Sequence, residues 1–309
     1  MPLRTPLHRA LALLLIATCA PAEEVFRDLA LEGGFRLSNV TTAHEPLELG
    51  AILATSGAAD PAWRLAQWGT RFNLLPAPDR IGPAGARIRE NEGKAVTIHP
   101  GGLSGKGVTL EVRGGAEYGG KLREKGQLWP HLLVEQRMPD GLRLADKGRM
   151  PFTLAFRVDH ARPATAETLD PSLHTTQVTA YWTMNNHNPD SADYRDMIWF
   201  GIPLFDARQD IPKGHQAVDA GAPGATGKFI CTLPGDRFYD APTGNGAWHR
   251  IEADLVPLVK EALAASQAHG FLKDTTFEDL HATSFNLGWE TPGPYDCAIT
   301  LKGLSLQAV

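Results

Sequence analysis

The sequence predicts an all-β protein, a β-sandwich of jelly-roll type with one packed α-helix near the C-terminal part. Three observations lead to this prediction. Short apolar–polar alternations recur along the chain, Gly, Pro and Asn turns separate them, and a helical apolar repeat stands out in only one segment. The 309 residues contain no linker and no internal repeat. We therefore expect residues 23–309 to form a single domain.

The first residues have the composition of a secretory signal peptide. Arg4, His8 and Arg9 precede an apolar run over residues 10–17, and residues 20–22 have the small-x-small form of a cleavage site. We expect a signal peptide at 1–22 and a periplasmic or secreted mature chain. A lipoprotein signal ending at Cys19 is an alternative, although Thr18 fits it poorly. No later run reaches the roughly 18 apolar residues of a membrane helix, so no membrane insertion is expected.

Charge limits the classes of partner. The net charge is −5 and no basic stripe is present, which argues against nucleic acid as a ligand. We expect a monomer without a cofactor. Asp190, Asp193 and Asp196 leave a structural calcium site open, but their spacing matches no standard calcium loop and favours a solvated turn.

Period-two patterns place the strands in chain order. Residues 108–112, 152–158 and 285–289 alternate apolar and polar side chains, while 198–205 is apolar on both faces and predicts a central strand. Pro203 must then lie at the end of that strand or at a bulge. The polar stretch 213–228 predicts a long surface loop, and 299–304 a final hairpin-like segment.

One helix is predicted to begin after Asp254. This residue is a good N-cap, Pro257 is tolerated in the first turn, and an apolar stripe continues to near Gly270. Cys231 and Cys297 fall in strand-like segments. They either form a disulfide or remain two separate buried thiols, and the sequence does not decide between these alternatives.

The stretch 176–185 carries the strongest functional signal. Val178, Ala180, Trp182 and Met184 share one face of the predicted strand. The other face carries amide, hydroxyl and phenol groups rather than charges: Gln177, Thr179, Tyr181, Thr183 and Asn185. Such a face is suited to hydroxyl-rich ligands and predicts one wall of a sugar-binding cleft. An ordinary solvent-facing strand is the alternative.

A second strand, 131–138, places His131, Glu135 and Arg137 on one face. In one interpretation, Glu135 and Arg137 form a simple salt bridge. In the other, Arg137 neutralises a sugar carboxylate while Glu135 holds the guanidinium in place.

The order of these two strands resembles that of jelly-roll alginate lyases, in which an E-L-R strand precedes a Q-[IV]-H strand. This chain has Glu135-Gln136-Arg137 and then Gln177-Val178-Thr179. The resemblance implies that Arg137 and Gln177 bind a uronate carboxylate. The catalytic His of that family is replaced by Thr179, and its K-x-G-x-Y strand is not found. The segment after residue 240 resembles carbohydrate-binding sandwiches more generally.

Three functions remain open: a lyase acting on uronate-containing polysaccharide, a non-catalytic carbohydrate-binding protein, and a structural envelope-associated protein. For the lyase, Tyr181 and His131 are the predicted catalytic proton carriers, with His174 also available. A glycoside hydrolase would need two carboxylates, such as Glu135 with Glu290 or Asp206. The predicted substrate-binding residues are Glu135, Arg137, Gln177, Thr179, Asn185 and Trp199. Other aromatic candidates for stacking on sugar rings are Trp63, Trp68 and Trp129.

Overall fold

The computed structural model describes residues 22–41, 46–138, 142–220 and 224–309. The predicted signal peptide therefore lies almost entirely outside the described residues. Two large β-sheets pack face to face, so the predicted all-β sandwich is confirmed.

The first sheet has nine strands. In spatial order they are β13 (His215–Val218), β14 (Phe229–Thr232), β12 (Met197–Asp206), β11 (Gln177–Asn186), β16 (Leu280–Glu290), β9 (His131–Arg137), β4 (Trp63–Ala66), β2 (Phe35–Ser38) and β3 (Glu48–Ile52). Its pairs are antiparallel except β12 with β14 and β2 with β4, which are parallel.

The second sheet has eight strands. In spatial order they are β15 (His249–Asp254), β10 (Pro151–Pro163), β17 (Tyr295–Ala308), β8 (Val108–Arg113), β7 (Lys94–Ile98), β6 (Arg87–Glu90) and β5 (Arg80–Ile81), and β1 (Glu23–Glu24) also pairs with β17. The α-helices are α1 (Gly114–Glu117) and α2 (Leu255–Ala268). Short 3₁₀ turns occupy Pro83–Gly85, Gly102–Ser104, Leu144–Asp146, Gly235–Arg237, Thr243–Asn245 and Phe277–Asp279.

The core lies between the two sheets, where alternation directs the apolar side chains of each strand. Trp182 of β11 is fully buried and meets Phe152 of β10 edge to face, with ring centroids 4.8 Å apart. Val178, Ala180 and Met184 are also fully buried, which confirms the predicted inner face of this strand. Burial of each large apolar side chain contributes about 1.5–3 kcal/mol.

Helix α2 lies against β12 and β14 and confirms the predicted helix. The Asp254 carboxylate accepts hydrogen bonds from the backbone N–H of Val256 at 3.2 Å and of Met150 at 2.9 Å. One side chain therefore caps the helix and ties it to the start of β10. Leu255, Val259 and Ala262 are fully buried on its inner side.

The bulge predicted around Pro203 is confirmed, because the register of β11 against β12 shifts between Val178 and Thr179, the partner of Pro203. Two other predictions need correction. The loop expected at 213–228 contains the edge strand β13. The expected final hairpin is instead β17, a continuous strand of 14 residues between β10 and β8.

The two cysteines are separate buried thiols, so the disulfide alternative is wrong. Cys231 is on β14 of the nine-stranded sheet and Cys297 on β17 of the eight-stranded sheet. Burial raises the pKa of Cys231 to about 11 and that of Cys297 to about 12.

Candidate functional site

The two polar strands found in the sequence lie in the same sheet. β16 pairs with β11 on one side and with β9 on the other, so the outward-facing residues of all three strands form one surface. Gln177, Thr179, Tyr181 and Asn185 are half-buried there, opposite the core-facing residues of β11. The predicted polar face of β11 is therefore confirmed as the outer face of the nine-stranded sheet.

One row of outer-face residues crosses six strands at the level of Tyr181. Through successive strand pairings Tyr181 aligns with Asn286 on β16 and Gly201 on β12. The row continues to Glu135 on β9 and Arg64 on β4 on one side, and to Thr232 on β14 on the other. We refer to these residues as the Tyr181 row.

Glu135 is paired with Arg64, not with Arg137. The Arg64 Nε donates to Glu135 Oε2 at 2.5 Å, and Nη2 contacts the same oxygen. The contact expected between Glu135 and Arg137, on which both interpretations depended, is therefore not formed, and binding of a sugar carboxylate by Arg137 stays a prediction. Although Arg64 favours the charged form, burial outweighs it and raises the pKa of Glu135 to about 7. This carboxyl group can exchange a proton near neutral pH.

Tyr181 is held at its hydroxyl and at its ring. Its Oη lies 3.1 Å from Thr232 Oγ1, and its ring meets Trp199 edge to face with centroids 6.1 Å apart. Burial raises the pKa of Tyr181, and the negative charge of Glu290 raises it further. The phenol therefore stays protonated at neutral pH and is suited to donating a hydrogen bond rather than to acting as a base.

A second polar row lies at one end of the same face. Gln177, Glu290 and His131 are aligned across β11, β16 and β9. Gln177 Nε2 donates to Glu290 Oε2 at 3.5 Å, and His131 Nε2 is 3.8 Å from the same oxygen. His131 Nδ1 lies 3.0 Å from the Trp129 carbonyl oxygen, so Nδ1 must carry a proton. Trp129 also stacks on His131, with centroids 5.7 Å apart. We refer to this set as the Glu290 row.

Between the two rows, Thr179 and Gly288 form a strip of short side chains on β11 and β16. We define the trough as Gln177, Thr179, Tyr181, Asn286 and Glu290. Four residues separate the levels of the two rows, which corresponds to about 13 Å along a strand. The trough therefore offers amide, hydroxyl and carboxylate groups on either side of a low floor.

Arg137 and Gln177 are far apart. Arg137 aligns with Ser284 and Thr183, six residues along the strands from the level of Gln177, or about 20 Å. One carboxylate cannot contact both side chains, so the joint role implied by the alginate-lyase resemblance does not hold. Asn185 lies still farther from Gln177, and its Oδ1 accepts a hydrogen bond from Thr283 Oγ1 at 2.5 Å.

The carboxylates considered for a glycoside hydrolase each have other partners. Glu135 and Glu290 belong to two rows whose backbone levels are about 13 Å apart, and each carboxylate contacts a side chain of its own row. Asp206 lies at the end of β12 and forms a salt bridge with Arg208.

His174 and Trp63 have structural roles. His174 is buried; its Nδ1 accepts a hydrogen bond from Asp170 N at 3.0 Å and its Nε2 lies 2.9 Å from the Arg123 carbonyl oxygen, so neither nitrogen is available for catalysis. Trp63 is fully buried in the core. Trp68, Trp129 and Trp199 keep part of their surface exposed and remain candidates for stacking on a ligand.

Sequence reasoning missed Arg64, Asn286 and Thr232 as members of the site. Asn286 could have been found, because Ser284, Asn286 and Glu290 alternate with apolar residues on β16. Arg64 and Thr232 lie on strands of only four residues, whose position beside β9 and β12 no local pattern indicates.

No group of three or more potential metal ligands occurs in the described part of the chain. Two of the three aspartates considered for calcium have protein partners: Asp193 Oδ2 accepts a hydrogen bond from Asp274 N at 2.6 Å, and Asp196 pairs with Lys228 at 2.8 Å. Within the described ranges, no helix combines the length and apolar content needed to cross a membrane.

Comparison with known proteins gives structural likeness only. No family model and no curated protein sequence matches the chain. Among solved structures, a family 12 xyloglucanase from Bacillus licheniformis has a TM-score of 0.42 at 10% identity, covering 75% of this chain and 97% of its own. The family 11 xylanase from Neocallimastix patriciarum has a TM-score of 0.39 at 11% identity, covering 80% and 100%. Endoglucanase 3 of Trichoderma harzianum, from family GH12, has a TM-score of 0.36 at 10% identity, covering 81% and 98%.

Proposed function

We propose that the protein binds a polysaccharide on the outer face of the nine-stranded sheet, with the trough as the contact surface. The observation that carries the proposal is the set of uncharged polar side chains at its centre: Gln177, Thr179, Tyr181 and Asn286 are aligned on two adjacent strands and half-buried. Sugar hydroxyls pair with such amide and hydroxyl groups, and Trp199 supplies an aromatic surface beside Tyr181.

Retention of the protein in affinity gels tests this proposal. We expect slower migration in gels containing alginate, polygalacturonate, xylan or a β-glucan, and weaker retention of Asn286→Ala, which removes an amide from the centre of the trough. Thr97→Ala is the matched control, because Thr97 is half-buried on β7 in the other sheet. Equal retention of Asn286→Ala and the wild type would overturn the trough as the binding surface. A wild type that no polysaccharide retains would favour the envelope-associated structural role.

The second candidate is catalysis on the same face, and the raised pKa of Glu135 favours it. A carboxyl group that titrates near pH 7 can serve as a general acid or base, and Arg64 beside it is a cation that could meet a uronate carboxylate. An elimination would remove the C5 proton of the uronate and break the C4–O bond, giving an unsaturated end and a new hydroxyl group. In this proposal Glu135 takes the C5 proton, the leaving oxygen takes a proton from water, and Tyr181, aligned with Glu135 through Asn286, donates a hydrogen bond. His131 lies at the level of the Glu290 row, where it faces Glu290 instead.

Absorbance in the ultraviolet separates an enzyme from a binder. If the protein is a lyase, alginate or polygalacturonate should yield unsaturated ends, and Glu135→Gln should lower kcat by about 10²-fold or more. Tyr181→Phe should retain part of the activity, because this phenol is not the base. Retention of polysaccharide without new ends would identify a binder, and full activity of Glu135→Gln would remove Glu135 from the mechanism.

We also propose that the protein is exported and processed between Ala22 and Glu23. The support is the basic, apolar and small-residue pattern of residues 1–22. N-terminal sequencing of the protein recovered from the periplasm or medium of a bacterial expression host should then begin at Glu23. Recovery of an unprocessed chain from the cytoplasm would contradict this proposal.

A further inference from the structure

A cavity lies at the end of the sandwich where β10 and β12 finish and β17 begins. Its volume is about 640 Å³, within the range of about 300–1,000 Å³ for pockets that bind small molecules. No residue of the trough lines it. The cavity is therefore separate from the surface assigned to the polysaccharide.

The lining divides into an apolar and a polar side. Ala161, Pro163, Phe205 and Pro242 supply apolar surface. The polar side is lined by charged and amide groups and by one aromatic ring: Asp206, Arg208, Gln209, Asp210, Asn245 and Tyr295. A ligand that fits must therefore combine an apolar face with several hydrogen-bonding groups.

Hydrogen bonds hold the Asp206–Arg208 pair of the cavity in place. Arg208 Nε donates to Asp206 Oδ1 at 2.8 Å, Nη2 reaches Oδ2, and Thr175 Oγ1 donates to Oδ1 at 3.0 Å. Burial alone would raise the pKa of Asp206, but hydrogen bonds from the side chain and backbone of Arg208 outweigh burial and keep that pKa below its ordinary value. Within this pair the two charges compensate each other, and Asp210 adds a further negative charge to the lining, so the cavity disfavours an anionic ligand.

A sugar residue meets these requirements, since its ring has an apolar C–H face and an edge of hydroxyl groups. Position supports the same class of ligand: Asp206 is the strand partner of Gln177, so the cavity begins where the Glu290 row ends. We propose that the cavity is a second carbohydrate site that holds one sugar residue. The choice of a sugar over another neutral polar molecule rests on the proposed function.

Saturation-transfer NMR with small probes tests the proposal. The probes are methyl β-glucoside, methyl β-xyloside and methyl β-galactoside, which are all neutral. We expect saturation transfer to at least one of them with the wild type and with the trough variant Asn286→Ala. The signal should fall several-fold in Arg208→Met, which removes the guanidinium, and in Ala161→Phe, which narrows the cavity on its apolar side. Near-ultraviolet circular dichroism checks that each variant is folded, and the two variants alter opposite sides of the lining.

The outcomes separate this proposal from that of the trough. No transfer to any probe with the wild type would overturn the second site, whatever the affinity gels show. Transfer that is lost in Asn286→Ala but kept in both cavity variants would also overturn it. Transfer that depends on Arg208 and Ala161, combined with no retention of any polysaccharide, would support the cavity site and reject the trough.

Discussion

A carboxyl group with 7% exposure and a single guanidinium partner lies in an environment that favours its neutral form. Glu135 is in this position, since the sheet around it excludes water and Arg64 is the one cation that contacts it within the described residues. Burial is the larger effect, so the pKa rises to about 7 in spite of the salt bridge. The charge of this residue therefore changes near neutral pH.

This pKa predicts a pH-dependent stability. Because the folded-state pKa of Glu135 is above its ordinary value of 4.5, its contribution to stability is fully present below about pH 4.5 and is lost as the pH rises through about 7. The difference corresponds to a loss of about 3 kcal/mol in the free energy of unfolding. Glu135→Gln cannot titrate and should lack this loss.

Urea unfolding of both proteins between pH 4.5 and 8.5 measures the effect. The stability of the wild type relative to Glu135→Gln should decline with pH, and the other ionisable groups are common to both proteins. Parallel curves would show that Glu135 has an ordinary pKa in the folded state.

At the scale of elements, the alternation of apolar and polar residues was sufficient to predict β11 and its two faces. The inner residues of this strand are buried, and outer residues contribute to the trough. The N-cap residue and the apolar stripe were equally sufficient to predict α2. Local patterns did not predict β17, because its central place in the sheet depends on β10 and β8, which are distant in sequence. The Glu135–Arg64 pair was missed for the same reason, since it joins residues 71 positions apart.

The cap of α2 offers a prediction at this scale. Asp254→Ala removes the acceptor for Val256 N and Met150 N, and should lower the free energy of unfolding by about 1–2 kcal/mol. Asp254→Asn is the matched control, because its amide oxygen can still cap the helix and should keep most of the stability. Guanidinium unfolding monitored by circular dichroism gives both values. Equal losses in the two variants would mean that the charge, and not the cap, is what stabilises this helix.

At the scale of the whole molecule, the two faces of the nine-stranded sheet have different surroundings. Its inner face packs on the other sheet, and its outer face collects residues from six strands that span Arg64 to Asn286 in the chain. The residue types of this site can be read from single strands, but their grouping follows from the strand order. The sequence therefore indicated the kind of surface and only part of its membership.

Two tryptophans on adjacent strands test the assignment of an inner and an outer face to this sheet. Trp182 is fully buried against Phe152 of the opposite sheet, whereas Trp199 is partly exposed beside Tyr181. Trp182→Ala should lower the free energy of unfolding by about 3–5 kcal/mol. Trp199→Ala should cost much less stability and should weaken retention in polysaccharide gels. Thermal unfolding and affinity gels on the same samples would reveal the opposite pattern if the assignment of faces were reversed.

The position of β17 has a consequence for biosynthesis. This strand follows all the other described strands in the chain, yet it lies between β10 and β8 and joins the β15–β10 pair to the strands from β8 to β5. At a ribosomal rate of about 5–20 residues per second, β8 waits about ten seconds or more for the roughly 180 residues that separate it from β17. During that interval the apolar faces of β8 and β10 have no complete sheet to join. The strand order therefore predicts that the eight-stranded sheet is completed only after β17 has been synthesised.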